Sequence, residues 1–139
     1  MKSIFADTSF FVALIESADR CHSAAHLLSI TDRRPVLTTS AVVLELGAYF
    51  ADAARRPLFH RIMDSLKRKG AEIFHVDAAL QQKGVERFAA RPDKDWSLTD
   101  CISFVLMEER GIRESATTDR HFEQAGFVAL LRRDSSTSP

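Results

Sequence analysis

Four carboxylates stand out by their positions: Asp7, Glu45, Asp100 and Asp119. Asp7 sits where the apolar "SIFA" meets the helical face of Phe10, Phe11, Ala13 and Leu14. A charge so close to a buried core is costly unless something compensates it. Glu45 lies inside the apolar "AVVLELGAYF", Asp100 ends "SLTD", and Asp119 follows "ESATT". Each has a local explanation. Asp7 and Asp119 suit helix N-caps, Asp100 suits a capping box opened by Ser97, and Glu45 suits a pair with a surface cation. Together they offer another. Carboxylates gathered in one place repel one another and take up protons unless a divalent cation neutralises them. Hard oxygen ligands fit Mg²⁺ or Mn²⁺, whereas Zn²⁺ calls for Cys and His pairs. Cys21 and Cys101 form no CxxC pair, and His22 and His26, four residues apart, lack an HExxH glutamate and a third ligand.

The elements that must position these acids follow from the periodicity. Ser3 to Ala6 reads as a strand running into a helix, and Cys21 to Ile30 is helical through Ala24, Leu27 and Leu28. "RPVLTTS" gives a strand, and Ser40 is placed to cap a helix reaching about Ala53. Pro57 fits the first turn of a helix carrying Leu58, Ile62 and Leu66, which Gly70 ends. "EIFHV" is a strand, Asp77 caps the helix of Leu80, Val85 and Phe88, and "RPDKDW" is a loop. The helix of Leu98, Ile102, Val105 and Leu106 stops at Gly111. "ESATT" leads into "DRHFE", and "FVALL" is a last strand. This alternation predicts an α/β sandwich with a mainly parallel sheet, which binds ligands beyond the carboxyl ends of its strands. Asp7 and Asp119 both follow strands, so the four acids have one edge on which to meet.

With 139 residues the chain is expected to form a single domain over residues 1–131, with a polar tail at 132–139. A hydrophobic fraction of 45% and no run of apolar residues near the roughly 20 that span a bilayer fit a cytoplasmic protein. The formal net charge is zero, yet Ala51 to Gly70 holds six basic residues against Asp52 and Asp64. Setting the four acids aside leaves 19 basic residues facing 15 acidic ones, so the rest of the surface is positive.

In order along the chain come "IFADTSFFVAL", "LTTSAVVLEL", "DWSLTDCISFVLMEERGI" and "ATTDRHFEQAGF". These four pieces resemble PIN-domain proteins, and in particular the VapC-type ribonuclease toxins of toxin–antitoxin pairs, over residues 2 to 131. The resemblance implies a PIN-like three-layer sandwich, Mg²⁺ or Mn²⁺ dependence, and endonucleolytic cleavage of RNA. It implies that Asp7, Glu45, Asp100 and Asp119 form the catalytic and metal site, with Thr8, Ser9 and Thr118 holding carboxylates or water. It also implies a cognate antitoxin that covers the site and a homodimer. Many relatives have a further acid where this chain has His121, which removes one negative charge from the pattern. Asp95, in the preceding loop, is either a replacement acid or a solvated residue.

Arg120, beside Asp119, is the first candidate for gripping an RNA phosphate, ahead of Arg91, Lys94 and the basic helix of Arg55 to Lys69. Most phenylalanines occupy periodic core positions. Trp96 either frames the substrate groove or anchors its loop. Phosphatases of the haloacid-dehalogenase type need an acid where Ser9 stands, and receiver domains need paired acids that are absent here. The rival reading is a PIN-like module that binds RNA or protein without cutting.

Overall fold

The computed structural model describes residues 2–132. Five short runs pair edge to edge, all parallel: β1 (Ile4–Ala6), β2 (Val36–Thr39), β3 (Glu72–Phe74), β4 (Glu114–Ala116) and β5 (Val128–Ala129). Their order in the sheet is β3-β2-β1-β4-β5. The chain therefore works outward from β1 in one direction, then crosses back to place β4 on the other side of β1. The gap between β1 and β4 is the topological switch point of the sheet, where such folds form a crevice.

Helices fill the connections: α1 (Thr8–Ile15), α2 (His22–Thr31), α3 (Ser40–Tyr49), α4 (Arg56–Arg68), α5 (Ala78–Ala90), α6 (Leu98–Arg110) and α7 (Arg120–Gln124). Side chains alternate across β1, so Ile4 and Ala6 face a space shared with α1, α2 and α4. Phe5 points the other way, stacking on Phe122 of α7 at 6.3 Å, while Phe122 meets Phe104 of α6 edge-on at 5.0 Å. The result is the expected PIN-like three-layer sandwich. Helix α6 is the most buried of these helices, with an unbroken run from Asp100 to Met107 out of solvent.

Local chemistry sets the helix ends, with two departures from expectation. Thr39, not Ser40, caps α3 by accepting the Val42 N–H, and the Ser40 hydroxyl accepts from Val76 N–H beyond β3. The same helix stops at Tyr49 rather than near Ala53. Asp77 caps α5, and Gly111 ends α6 in the left-handed region at φ 66°, as the sequence predicts. Trp96 anchors its loop: its indole N–H donates to Gln124 and its ring packs edge-on against Phe104. The expected polar tail lies outside the described residues after Arg132.

Candidate active site

Asp7 occupies the N-cap position of α1 but does not cap it. Its Oδ2 instead accepts hydrogen bonds from the Thr117 hydroxyl at 3.0 Å and the Ser9 hydroxyl at 3.1 Å. Ser9 and Thr117 are themselves 3.0 Å apart, and the backbone N–H groups of Thr118 and Asp119 donate to these two hydroxyls. A small polar net thus sews the end of β1 to the end of β4 across the switch point. Asp7 is only 4% exposed and has no salt-bridge partner among the described residues. Burial is the main reason its carboxyl is pushed up to about 7, and the charges of Asp100 and Asp119 push in the same direction.

Asp100 enters from the start of α6. Its Oδ2 closes the capping box by accepting Ser97 N–H at 3.0 Å, while Ser97 Oγ accepts Asp100 N–H. Capping and site membership are therefore not alternatives for this residue. Burial raises its pKa too, with Asp119 adding to the effect. Asp119 caps α7 by accepting His121 N–H at 2.9 Å through Oδ1. For both Asp100 and Asp119, one oxygen carries the protein's hydrogen bonds and the other accepts none from the described residues. His121 completes the group, with Nδ1 at 3.0 Å from Asp100 and 3.3 Å from Asp119. One donor atom from each of Asp100, Asp119 and His121 lies within 4.8 Å of the others.

Glu45 is less committed. It sits half-buried on the second turn of α3, which leaves the same edge of the sheet, and it forms no hydrogen bond or ion pair with the described residues. Thr8 has a buried hydroxyl with no partner, one residue from Asp7. Thr118 joins the net through its backbone rather than its side chain, and Thr117 does the work expected of it. The sequence signal for Thr117 was the hydroxyl doublet before Asp119, which does not say which of the two points inward. Arg120 is exposed at the start of α7 and makes no ion pair with the described residues. His22 is spent on the Ala13 carbonyl at 2.8 Å.

The donor set fits a divalent cation. Asp100, Asp119 and His121 stand within ligand distance of one another, and Asp7, outside that group, feels the charges of both aspartates, so a doubly charged ion would relieve this edge. The orphaned Thr8 hydroxyl is a further polar atom that a solvated ligand would satisfy.

The PIN domain model matches residues 4–128 of this chain. The chain belongs to the PIN-domain family. Within that family it is similar to the 23S rRNA-specific endonuclease VapC20 of Mycobacterium tuberculosis, from strain CDC 1551 / Oshkosh and strain H37Rv alike. Identity to each is 30% over 131 residues, covering 91% of this chain and 97% of the relative. The crystal structure of the M. tuberculosis VapC20 toxin, described as cleaving the sarcin-ricin loop, superposes with a TM-score of 0.83. That match has 26% identity and covers 90% of this chain and 96% of the other.

Proposed function

We propose that this PIN domain hydrolyses RNA phosphodiester bonds at the Asp7, Asp100 and Asp119 edge, with Mg²⁺ or Mn²⁺ as cofactor, and that it acts as the toxin of a toxin–antitoxin pair. The chain is an RNA-cleaving enzyme of the toxin kind on its likeness to VapC20 over nearly its whole length. The observation that carries the metal-dependent reading is Asp7. A buried carboxylate with no cationic partner among the described residues, raised further by the charges of Asp100 and Asp119, is relieved at neutral pH by a proton or by a cation.

A bound divalent ion would lower the pKa of its water and stabilise charge developing on the phosphoryl oxygens. The chain's own residues do the rest. Ser9 and Thr117 hold Asp7 in one orientation, and Ser97 fixes Asp100 at the head of a rigid buried helix. Glu45, with no competing hydrogen bond among the described residues, would take the proton of the attacking water or a place beside the ion. Arg120, exposed next to Asp119 and without an ion pair among the described residues, would hold an RNA phosphate against the acidic centre. The sarcin-ricin loop is the first substrate to try.

The domain that carries this activity would be residues 1–131, working in the cytoplasm. An antitoxin that covers the site would take its anchorage beside it, with a segment in the groove of about 1150 Å³ between α1, α2 and α4, whose lining includes none of the four acids. Its floor is apolar, with Phe10, Phe11 and Leu14, and Arg33, Arg61 and Arg68 on its rim have no ion-pair partners among the described residues. That chemistry suits an amphipathic acidic segment. Leu44 and Tyr49 on α3, exposed and apolar, would serve a homodimer contact.

The test is cleavage of a sarcin-ricin RNA hairpin by the purified chain with Mg²⁺, Mn²⁺ or EDTA. Cleavage that needs an added ion and is lost in Asp7→Asn is the expected result. Equal cutting in EDTA, or undiminished cutting by Asp7→Asn, would overturn the reading.

A further inference from the structure

The acidic edge contains one group that hard-oxygen chemistry does not call for, the imidazole of His121. We propose that His121 Nδ1 is itself a ligand of the divalent cation, giving a mixed oxygen and nitrogen shell that favours Mn²⁺ over Mg²⁺. This rests on the metal-dependent reading of the site and specifies which ion it selects.

The spacing supports a shared ligand shell. Nδ1 lies 3.0 Å from Asp100 Oδ2 and 3.3 Å from Asp119 Oδ1. An octahedral ion with bonds near 2.1 Å separates adjacent ligand atoms by about 3.0 Å, so Nδ1 already stands at neighbouring-ligand distance from each carboxylate, and all three groups lie within 4.8 Å of one another. Without an ion, Nδ1 and Asp100 Oδ2 share a hydrogen bond. A cation takes the place of the shared proton. Nε2 has no hydrogen-bond partner among the described residues, so it is the ring nitrogen left to carry a proton while Nδ1 presents its lone pair.

The backbone keeps the residue in place for this role. His121 N–H donates to Asp119 Oδ1, locking the histidine and its neighbouring carboxylate into one turn at the start of α7. The side chain is 20% exposed, enough for an ion to reach it but too little for the ring to swing freely. Selectivity follows from ligand chemistry. Mg²⁺ keeps water and oxygen in its shell, whereas imidazole suits transition-metal ions. An aspartate at this position would restore an oxygen-only site.

The decisive experiment is pulsed electron paramagnetic resonance on the full chain loaded with Mn²⁺, joined to calorimetry with Mn²⁺ and Mg²⁺. Wild type is expected to show nitrogen modulation from a directly bound imidazole. His121→Asp should lose that modulation, and its ratio of Mn²⁺ to Mg²⁺ affinity should fall by about tenfold or more. His22→Gln, whose ring is engaged with the Ala13 carbonyl, should keep both properties. Because the wild-type spectrum alone reads the bond, misfolding of a variant cannot mask the answer. Bound Mn²⁺ without nitrogen modulation, in protein that still cuts RNA, would overturn the role of His121 and leave the metal site standing. Failure of wild type to bind either ion would overturn both.

Discussion

At the scale of single residues, Asp7 sets how the protein responds to pH. Its carboxyl is raised to about 7, so between its ordinary value of 3.8 and about 7 the folded chain holds a proton that the unfolded chain has released. Unfolding then releases a proton, and stability falls as pH climbs through that window. Asp100 is shifted the same way and adds to the trend. Thermal melts in EDTA should show the metal-free protein losing up to about 4 kcal/mol between pH 4 and 8, with Asp7→Asn much flatter. Added Mn²⁺ should reverse the slope, since ions and protons compete for the same oxygens. Thr117 gives a second prediction. Thr117→Val keeps the shape but removes the hydroxyl that donates to Asp7 and accepts from Asp119 N–H. Stability should drop by about 1–3 kcal/mol and cleavage by about 10- to 100-fold, read by melting and by initial rates. The burial of Asp7 was legible in the sequence as a carboxylate at a strand end, and the meeting of Asp100 with Asp119 followed from strand ends and helix starts sharing one edge, whereas nothing among the described residues ties Glu45 to them. The choice between Thr117 and Thr118 was not legible, because one residue of register after β4 decides which hydroxyl turns inward.

Among the elements, α5 and α6 make the most extensive contact. Gly84 lies on the buried face of α5, and a Cβ there would stand 2.5 Å from Ile102 Cγ1 and 3.4 Å from Ile102 backbone atoms. Gly84→Ala should therefore destabilise the protein despite alanine's better helix propensity, by about 1–2 kcal/mol after that offset. Chemical denaturation would measure it, and a neutral result would mean that α6 can shift. Since α6 carries Asp100, the same substitution should also reduce activity. Helix types and order were readable from periodicity and caps. The tight contact was not, because a glycine inside a helical pattern looks the same whether it faces solvent or a neighbouring helix. The end of α3 was missed for a related reason: Ala51, Asp52 and Ala53 are compatible with helix, and the tertiary path of the chain ends it earlier. Phe88, expected in the core by its spacing, is 51% exposed on the outer side of α5.

Across the whole molecule, the acidic edge and the apolar groove are separate surfaces on one small sheet. The site lies at the switch point between β1 and β4, whereas the groove lies over the face shared by α1, α2 and α4. Charge reversal at the groove should leave cutting intact while loosening the antitoxin. Arg61→Glu with Arg68→Glu is expected to weaken the complex by at least about tenfold in a binding titration, with unchanged RNA cleavage by the free chain. Loss of both properties together would place the groove within the catalytic surface.

The hydrogen bond from Thr117 to Asp7 joins residues 110 positions apart in sequence. Its consequence is temporal. During synthesis Asp7 is made well before β4 and before Asp119, the acid that follows that strand. Long-range parallel pairing is slow to form even in a finished chain. An unfinished chain therefore has Asp7 without the Thr117 hydroxyl that orients it, and the acidic edge is completed only after β4 has docked.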